Sequence, residues 1–208
     1  MQINPELFID PNDFFEKLGE PTMGSSVKII VIVAVTNTIP IFYLIYLIWD
    51  TFQQGVLKLA VMFGAVLGAI SGIFGTFVIW FITTCAIVAV SGLLFDGKGT
   101  LRKAMKYISW GFIPAIIAGL LSSLLILVSL QGVVIPERPE TMAQSVVRAQ
   151  QGVITVFIAI IRSMSLIWMG ILWTFGIKHA RKISIREAAV SAAPPVVFGI
   201  IWIVMQST

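Results

Sequence analysis

The chain has 208 residues, 58% of them hydrophobic and 12% charged, with a formal net charge of +4 and a mean hydropathy of +0.98. A soluble domain carries about 25% charged residues, so the composition excludes a water-soluble globular protein and specifies an integral membrane one. The basic residues cluster in two short loops; this excludes a nucleic-acid footprint and points to membrane topology and anionic headgroups.

Residues 1–27 form an amphipathic, mostly acidic segment with Glu6, Asp10, Asp13, Glu16 and Glu20, unlike a cleavable signal peptide. Asp10-Pro11-Asn12-Asp13 predicts a helix start: an Asp cap, Pro at the first helical position, and an acid in the first turn. Phe14, Phe15 and Leu18 make one apolar stripe, so the helix is expected to lie on the membrane surface. Residues 28–208 are expected to form a single transmembrane domain.

The first span is predicted over about Lys28 to Trp49. Asn37 and Pro40 interrupt it, and Pro40 frees the carbonyl one turn back, near Thr36, which a neighbour must satisfy. Val56 to Phe95 is about 40 residues with one charge, Lys58, too long for one ordinary span and barely enough for two. Gly64, Gly68 and Gly72 recur every four residues, a small-residue face for helix packing. With Gly72 and Gly75 as a break, the expectation is a full span over about Gly75 to Phe95 after a tilted, partly embedded helix; a single long tilted helix is the near alternative.

Gly97-Lys98-Gly99 predicts a turn. Arg102, Lys103 and Lys106 then oppose Leu101, Met105 and Ile108, which reads as a basic amphipathic helix. A third span follows over about Trp110 to Gln131, with Pro114 in its first turns and Ser122 and Ser123 deeper. Pro136-Glu137-Arg138-Pro139-Glu140 is a charge-balanced connection. Residues 141–151 are expected to be helical and to run on into the next span.

That span, Gly152 to Ile177, is apolar except for Arg162. Neither flank alone reaches the roughly 20 residues a crossing needs, so Arg162 is expected near the midplane, at an insertion cost of roughly 2.5–3.5 kcal/mol or more. Asn37, Thr83 and Thr84 fall at similar depth and offer oxygens, so an intramembrane polar cluster of Asn37, Thr83, Thr84 and Arg162 is expected. Lys178, His179, Arg181, Lys182 and Arg186 close the helix. His179 is expected to be a solvated cap near the helix C-terminus. The last span runs over about Ala188 to Met205, with Pro194-Pro195 breaking it near its start.

Loops 96–107 and 178–187 each hold four Lys or Arg, whereas 132–151 holds two, balanced by two Glu. Two spans separate the basic loops, so both can face the cytoplasm. If 56–95 crosses once there are five spans and a cytoplasmic N-terminus; if twice, six and an external one. The fold expected is all-α: a polytopic transmembrane helix bundle of about five spans with short amphipathic interfacial helices. The basic cytoplasmic surface comprises Lys98, Arg102, Lys103, Lys106, Lys178, Arg181, Lys182 and Arg186. There is no carboxylate inside any span, one His, one Cys and no metal-ligand spacing, so neither enzyme chemistry nor a cofactor is expected.

The stretch Gly97-Lys98-Gly99-Thr100 followed by Trp110-Gly111-Phe112-Ile113-Pro114 resembles the Yip family of membrane proteins. Leu172-Trp173 through Gly176, His179, Ser184 and Ala188 to Pro194-Pro195 is a second match, and Asp10-Pro11-x-x-Phe14-Phe15 is similar to the family's opening. The resemblance implies five spans, a cytoplasmic N-terminus and no known catalytic activity. Eukaryotic relatives associate with Rab-type small GTPases, form complexes with one another, and act in membrane traffic; this chain differs in its short N-terminal segment. The resulting expectation is a non-enzymatic membrane scaffold contacting anionic lipid of the bilayer or an acidic partner, and forming homo- or hetero-oligomers with related membrane proteins. The rival is a small-solute or ion transporter or channel with Arg162 in the pathway.

Overall fold

A computed structural model of the protein describes residues 5–51, 56–131, 141, 144–145, 148 and 152–207, and among these its regular structure is entirely α-helical. The helices are α1 (Glu6–Ile9), α2 (Pro11–Lys17), α3 (Met23–Thr51), α4 (Val56–Phe95), α5 (Leu101–Trp110), α6 (Ile113–Ser129), α7 (Val153–Arg181) and α8 (Ile185–Ser207). Helices α3, α4, α7 and α8 are each long and apolar enough to cross a membrane, and α5 with α6, bent by 45°, passes the same test only as a pair, giving four candidate spans, or five if the bent pair counts as one. Neighbouring contacts run α3–α4–α8–α7–α6 and back to α3, so these five helices form a closed ring. The connection 132–140 lies outside the described residues.

Short-range chemistry sets the helix ends. Asp10 caps α2 by accepting from Asp13 N at 3.0 Å, with Pro11 at the first position. Thr100 caps α5 by accepting from Lys103 N at 3.2 Å. Ser184 and Glu187 make a reciprocal capping box at the start of α8: Ser184 N donates to Glu187 Oε2 at 2.7 Å and Glu187 N to Ser184 Oγ at 3.3 Å. Gly152, at φ +86, stands before α7. No helix runs through that backbone conformation, so the expected continuation from 141–151 into the Arg162 span does not occur; most of 141–151 itself lies outside the described residues.

Helix α4 is one unbroken helix of 40 residues, so the expected break at Gly72 and Gly75 is absent and the long-helix alternative holds. Glycine permits a break but does not impose one, and nothing apposed to Gly75 would bend the chain: its Cβ position has no atom within 4 Å. Pro194 and Pro195 likewise sit inside a continuous α8 rather than breaking it.

Apolar burial cannot favour helix over lipid inside a bilayer, and the ring is correspondingly joined by small residues and polar links. Gly119 lets α6 approach α3, where an added Cβ would stand 2.9 Å from Thr36 Oγ1. Gly170 receives Val196, and Gly199 receives Leu166, across the α7–α8 contact. The carbonyl that Pro40 frees is satisfied from α6: Ser123 Oγ donates to Thr36 O at 3.0 Å, with Ser123 almost wholly buried. Trp80 Nε1 on α4 donates to Met105 O on α5 at 3.2 Å.

The principal core lies where α5 and the C-terminal end of α7 meet the N-terminal helices. Leu7, Phe14 and Phe15 are buried there with Tyr107, Ile108, Trp110, Leu172, Trp173 and Ile177. Phe14 lies 5.4 Å from the Trp110 ring centroid, and Phe15 lies 6.2 Å from that of Tyr107. The apolar stripe of α2 is therefore spent on protein, not laid on a membrane surface as expected. Segment 5–27 and the transmembrane helices share one core.

The Ser123 link has a testable signature. Ser123→Ala should destabilise the fold by about 0.6 kcal/mol and at most about 1.7, the range of intramembrane hydrogen bonds. Pro40→Ala restores a backbone donor to Thr36 O, so in that background Ser123→Ala should cost measurably less. A double-mutant cycle by unfolding in bicelles reads the coupling, and equal cost in both backgrounds would disprove it.

Candidate functional site: a basic end and an intramembrane arginine

The N-terminal helices, the α4–α5 loop and the α7–α8 loop converge on one end of the bundle. Lys178 Nζ donates to Asn12 Oδ1 at 2.6 Å, Lys106 Nζ to Glu20 Oε1 at 2.7 Å, and Tyr107 Oη to Gly19 O at 2.6 Å. The Lys106 ammonium beside Glu20 holds that carboxyl below the usual range for glutamate. A carboxylate depressed in this way supports docking at pH above its ordinary range and loses that support as pH falls through the lowered value. His179 is half-buried with its ring stacked on Phe15 at 6.5 Å, and its Nε2 is buried without a partner. It is a docking surface for α2 rather than the solvated cap expected.

Arg181 departs most from expectation. Its side chain is buried, at 7% exposure, and its Nη1 donates to Gly99 O. Lys98 N in turn donates to Arg181 O at 2.9 Å, and Gly97 N to Ser91 O at 3.0 Å. The Gly97-Lys98-Gly99 turn is thus a cap over the C-terminus of α7, supplying a donor to a carbonyl that the helix leaves unpaired. Glycine is required at both positions. A Cβ on Gly99, at φ +118, would stand 2.6 Å from Ala180 O, and one on Gly97 would stand 2.9 Å from Ser91 O. Lys182 leaves α7 in the left-handed conformation, at φ +56.

The basic residues therefore divide by role. Lys98, Arg102, Lys182 and Arg186 are exposed. Lys103 lies over the Tyr107 ring at 5.9 Å, Lys106 and Lys178 are engaged by the N-terminal segment, and Arg181 is internal. Leu93 and Leu94, 84% and 64% exposed, flank the exposed cations at the end of α4.

Toward the other end, Arg162 and Asn37 line one cavity of about 260 Å³ inside the ring, together with Gly119, Ser165, Met169 and Trp202. Arg162 also lines a second cavity, of about 190 Å³, with Thr155 and Gln206, the latter in the last turn of α8. A helical side chain leans toward its helix N-terminus. For α7 that direction is away from the basic end, so Arg162 leans toward the far end of the bundle, where it shares a cavity with Gln206. Among the described residues no protein oxygen accepts from its guanidinium. Asn37 Nδ2 donates to its own helix, to Val33 O at 2.8 Å.

The threonines are not brought to Arg162. Thr84 is fully buried and its hydroxyl donates to Trp80 O at 2.8 Å. Thr83 lines a third cavity, of about 670 Å³, with Ala86, Trp173, Pro194, Phe198 and Trp202. This chamber shares Leu166, Met169, Gly199 and Trp202 with the Arg162 cavity. Ser165, Thr155 and Gln206 were not singled out by sequence; their spacing carries no motif, and only Trp202 bore a signal, as an interfacial aromatic. On α4, a Cβ added at Gly64 or Gly68 would meet no atom within 4 Å, and one at Gly72 would meet only Thr38 Cγ2, at 3.5 Å. Among the described residues nothing packs on the Cβ position of the first two; the buried small residue of that stretch is Ala69. Among the described residues no group of three His, Cys, Asp or Glu could hold a metal ion.

Removing Arg181 should be felt far more than removing its neighbour. Arg181→Met deletes a charge-assisted bond and unpins the α4–α5 turn, a loss of about 1.5–3 kcal/mol, whereas Lys182→Met should stay within about 0.5 kcal/mol. Thermal unfolding of the two variants in one detergent compares them; equal midpoints would reject the clamp.

Comparison with curated proteins finds no match, and comparison with solved structures finds none. A family model does match: the Yip1 domain, over residues 6–205. That match takes in the N-terminal helices, the glycine turn, the Arg162 helix and nearly all of α8, and the chain belongs to the Yip family of multi-pass integral membrane proteins.

Proposed function

We propose that the protein is a non-enzymatic membrane scaffold whose basic end faces the cytoplasm and engages anionic lipid headgroups or an acidic partner. The observation that carries this reading is the sorting of cations at that end. Arg181, Lys106 and Lys178 are consumed in holding the fold, while Lys98, Arg102, Lys182 and Arg186 are left exposed beside the apolar Leu93 and Leu94. Exposed cations next to exposed leucines suit a headgroup region, where each Lys or Arg contributes roughly 1 kcal/mol. Sidedness follows from the same charges under the positive-inside rule. Support for a single crossing by 56–95 comes from the unbroken α4, which gives five spans and opposite sides for the two termini. The open face at Gly64 and Gly68 is where contact with related membrane proteins would fall.

The transporter reading finds less support. Arg162 borders cavities leading toward the far end, but toward the basic end the ring interior is lined by Met169, Phe112 and Trp173, apolar side chains that offer a solute no polar path.

Two experiments test the reading. In a Cys85→Ala background, single cysteines at Glu16 and Lys182 should label from the cytoplasmic side and one at Ser207 from the opposite side; labelling of all three from one side would overturn the topology. In proteoliposomes, the motionally restricted fraction of spin-labelled phosphatidylglycerol should exceed that of phosphatidylcholine. Replacing Lys98, Arg102, Lys182 and Arg186 with Gln should remove most of that excess, as should about 1 M salt, where the screening length falls to about 3 Å. An unchanged excess would reduce these cations to topology signals.

A further inference from the structure

The ring of helices is not closely packed where α4, α7 and α8 meet. The 670 Å³ chamber is walled by α4, α7 and α8 and is almost wholly apolar, and its volume is that of a ligand pocket rather than a packing defect. Several of its wall residues, Ile79, Ile82, Phe198 and Trp202, are more than half exposed, so the chamber opens sideways between α4 and α8 toward lipid. At its other end it meets the Arg162 cavity through Leu166, Met169, Gly199 and Trp202. An apolar slot and a cavity bearing a guanidinium thus adjoin, with these four residues forming the wall common to both. That guanidinium has no protein acceptor among the described residues, and no Asp or Glu is among the residues lining the chamber or either Arg162 cavity.

We propose that the slot and the cavity together form a binding site for one anionic phospholipid of the leaflet at the far end. Its phosphate rests on Arg162, and one acyl chain lies in the α4–α8 chamber. Charge complementarity selects the occupant. A guanidinium is a planar fork of donors suited to a phosphate's paired oxygens, and a zwitterionic headgroup brings a competing cation to the same place. Arg162 lies nine residues from the start of α7, roughly 14 Å along its axis; a side chain leaning toward the helix N-terminus shortens the distance to the far headgroups, and Gln206 and Thr155 are its polar neighbours. An acyl chain supplies the dispersion contacts that an empty chamber forfeits. The site lies at the opposite end from the exposed cations of the proposed scaffold surface and does not depend on that reading.

The test uses the full chain in detergent, with native mass spectrometry and two probes of identical acyl composition, phosphatidylglycerol and phosphatidylcholine. Wild type should retain one phosphatidylglycerol at least tenfold more readily than phosphatidylcholine. Arg162→Leu should bring the two to parity, and Arg162→Lys should keep part of the preference. Replacing Lys98, Arg102, Lys182 and Arg186 with Gln should leave it intact, which separates failure here from failure of the scaffold reading. Ala86→Trp keeps Arg162 but fills the chamber, and should lose the lipid. In wild type, phosphatidylglycerol carrying a photoreactive acyl chain should label Met169 and Phe198, a readout independent of whether any variant folds. Equal retention of both lipids by wild type would overturn the proposal. So would retention unchanged in Arg162→Leu, or labelling confined to outward residues such as Leu59 and Phe74. Selective retention of free oleate in place of phosphatidylglycerol would overturn the phosphate assignment.

Discussion

The basic end of the molecule depends on Arg181. Its guanidinium holds the carbonyl of Gly99 while its own carbonyl receives Lys98 N, so one residue ties the α4–α5 turn to the end of α7 from both backbone and side chain. That tie fixes where α5 lies. Helix α5 then presents Tyr107 and Trp110 to the N-terminal helices and lets Trp80 of α4 donate to Met105. The arrangement answers a general difficulty. Inside a bilayer an apolar side chain gains little by choosing helix over lipid, so burial from water can order the structure only where helices emerge. This chain places its aromatic core at one such end and seals it with Leu7, Phe14 and Phe15 from the N-terminal segment.

The sequence disclosed the covalent logic of the fold more readily than its spatial logic. Run length located the apolar segments, though not the continuity of α4, and the loss of a donor at Pro40 announces an orphan carbonyl; Ser123 supplies a donor to it from 87 residues away. The Gly97-Lys98-Gly99 turn was legible as a turn, but the reason for its glycines is the nearness of Ala180 and Ser91, which no local pattern encodes. For the same reason a cation's role is hard to read: Arg181 and Lys182 are adjacent and chemically alike in sequence, yet one is buried and the other exposed. Depth estimates put Thr83 and Thr84 beside Arg162 because depth is one coordinate. Rotation about α4 is the other, and it turns Thr84 to its own helix carbonyl and Thr83 to a different cavity. The amphipathic stripe of α2 was legible as apolar, but whether protein or membrane covers such a stripe depends on tertiary contacts.

The length of α4 becomes tractable once the helix is known to be continuous. Its membrane-compatible stretch, Lys58–Phe95, has 38 residues, or roughly 57 Å at 1.5 Å per residue. At about 40°, the upper end of observed tilts, it projects roughly 44 Å on the membrane normal, which matches a bilayer with its headgroup layers. The ends fit that accounting. Lys58 donates to Trp49 O at 2.9 Å and its ammonium lies 4.0 Å over the Trp49 ring, a cation and an aromatic suited to one interface, while Asp96 and the glycine turn mark the other. The small residues of α4 divide by face: Ala69 meets the ring, whereas Gly64 and Gly68 lie on the side turned away from it.

The chemistry of Arg162 follows from helix direction. A cation in an apolar span is tolerated if its head can leave the hydrocarbon, and a helical side chain leans toward the N-terminus of its own helix. Helix α7 begins at the far end and finishes at the basic end, so Arg162 leans toward the nearer, far interface, where Gln206 and Thr155 lie. The same residue on α8, which runs the other way, would lean into the middle of the membrane. This direction removes the need for an internal acceptor and accounts for Asn37 spending its amide on Val33 O instead. It also means that Arg162 can satisfy itself at an interface without a pore. Whatever it binds must come from that interface and must fit the apolar space behind it.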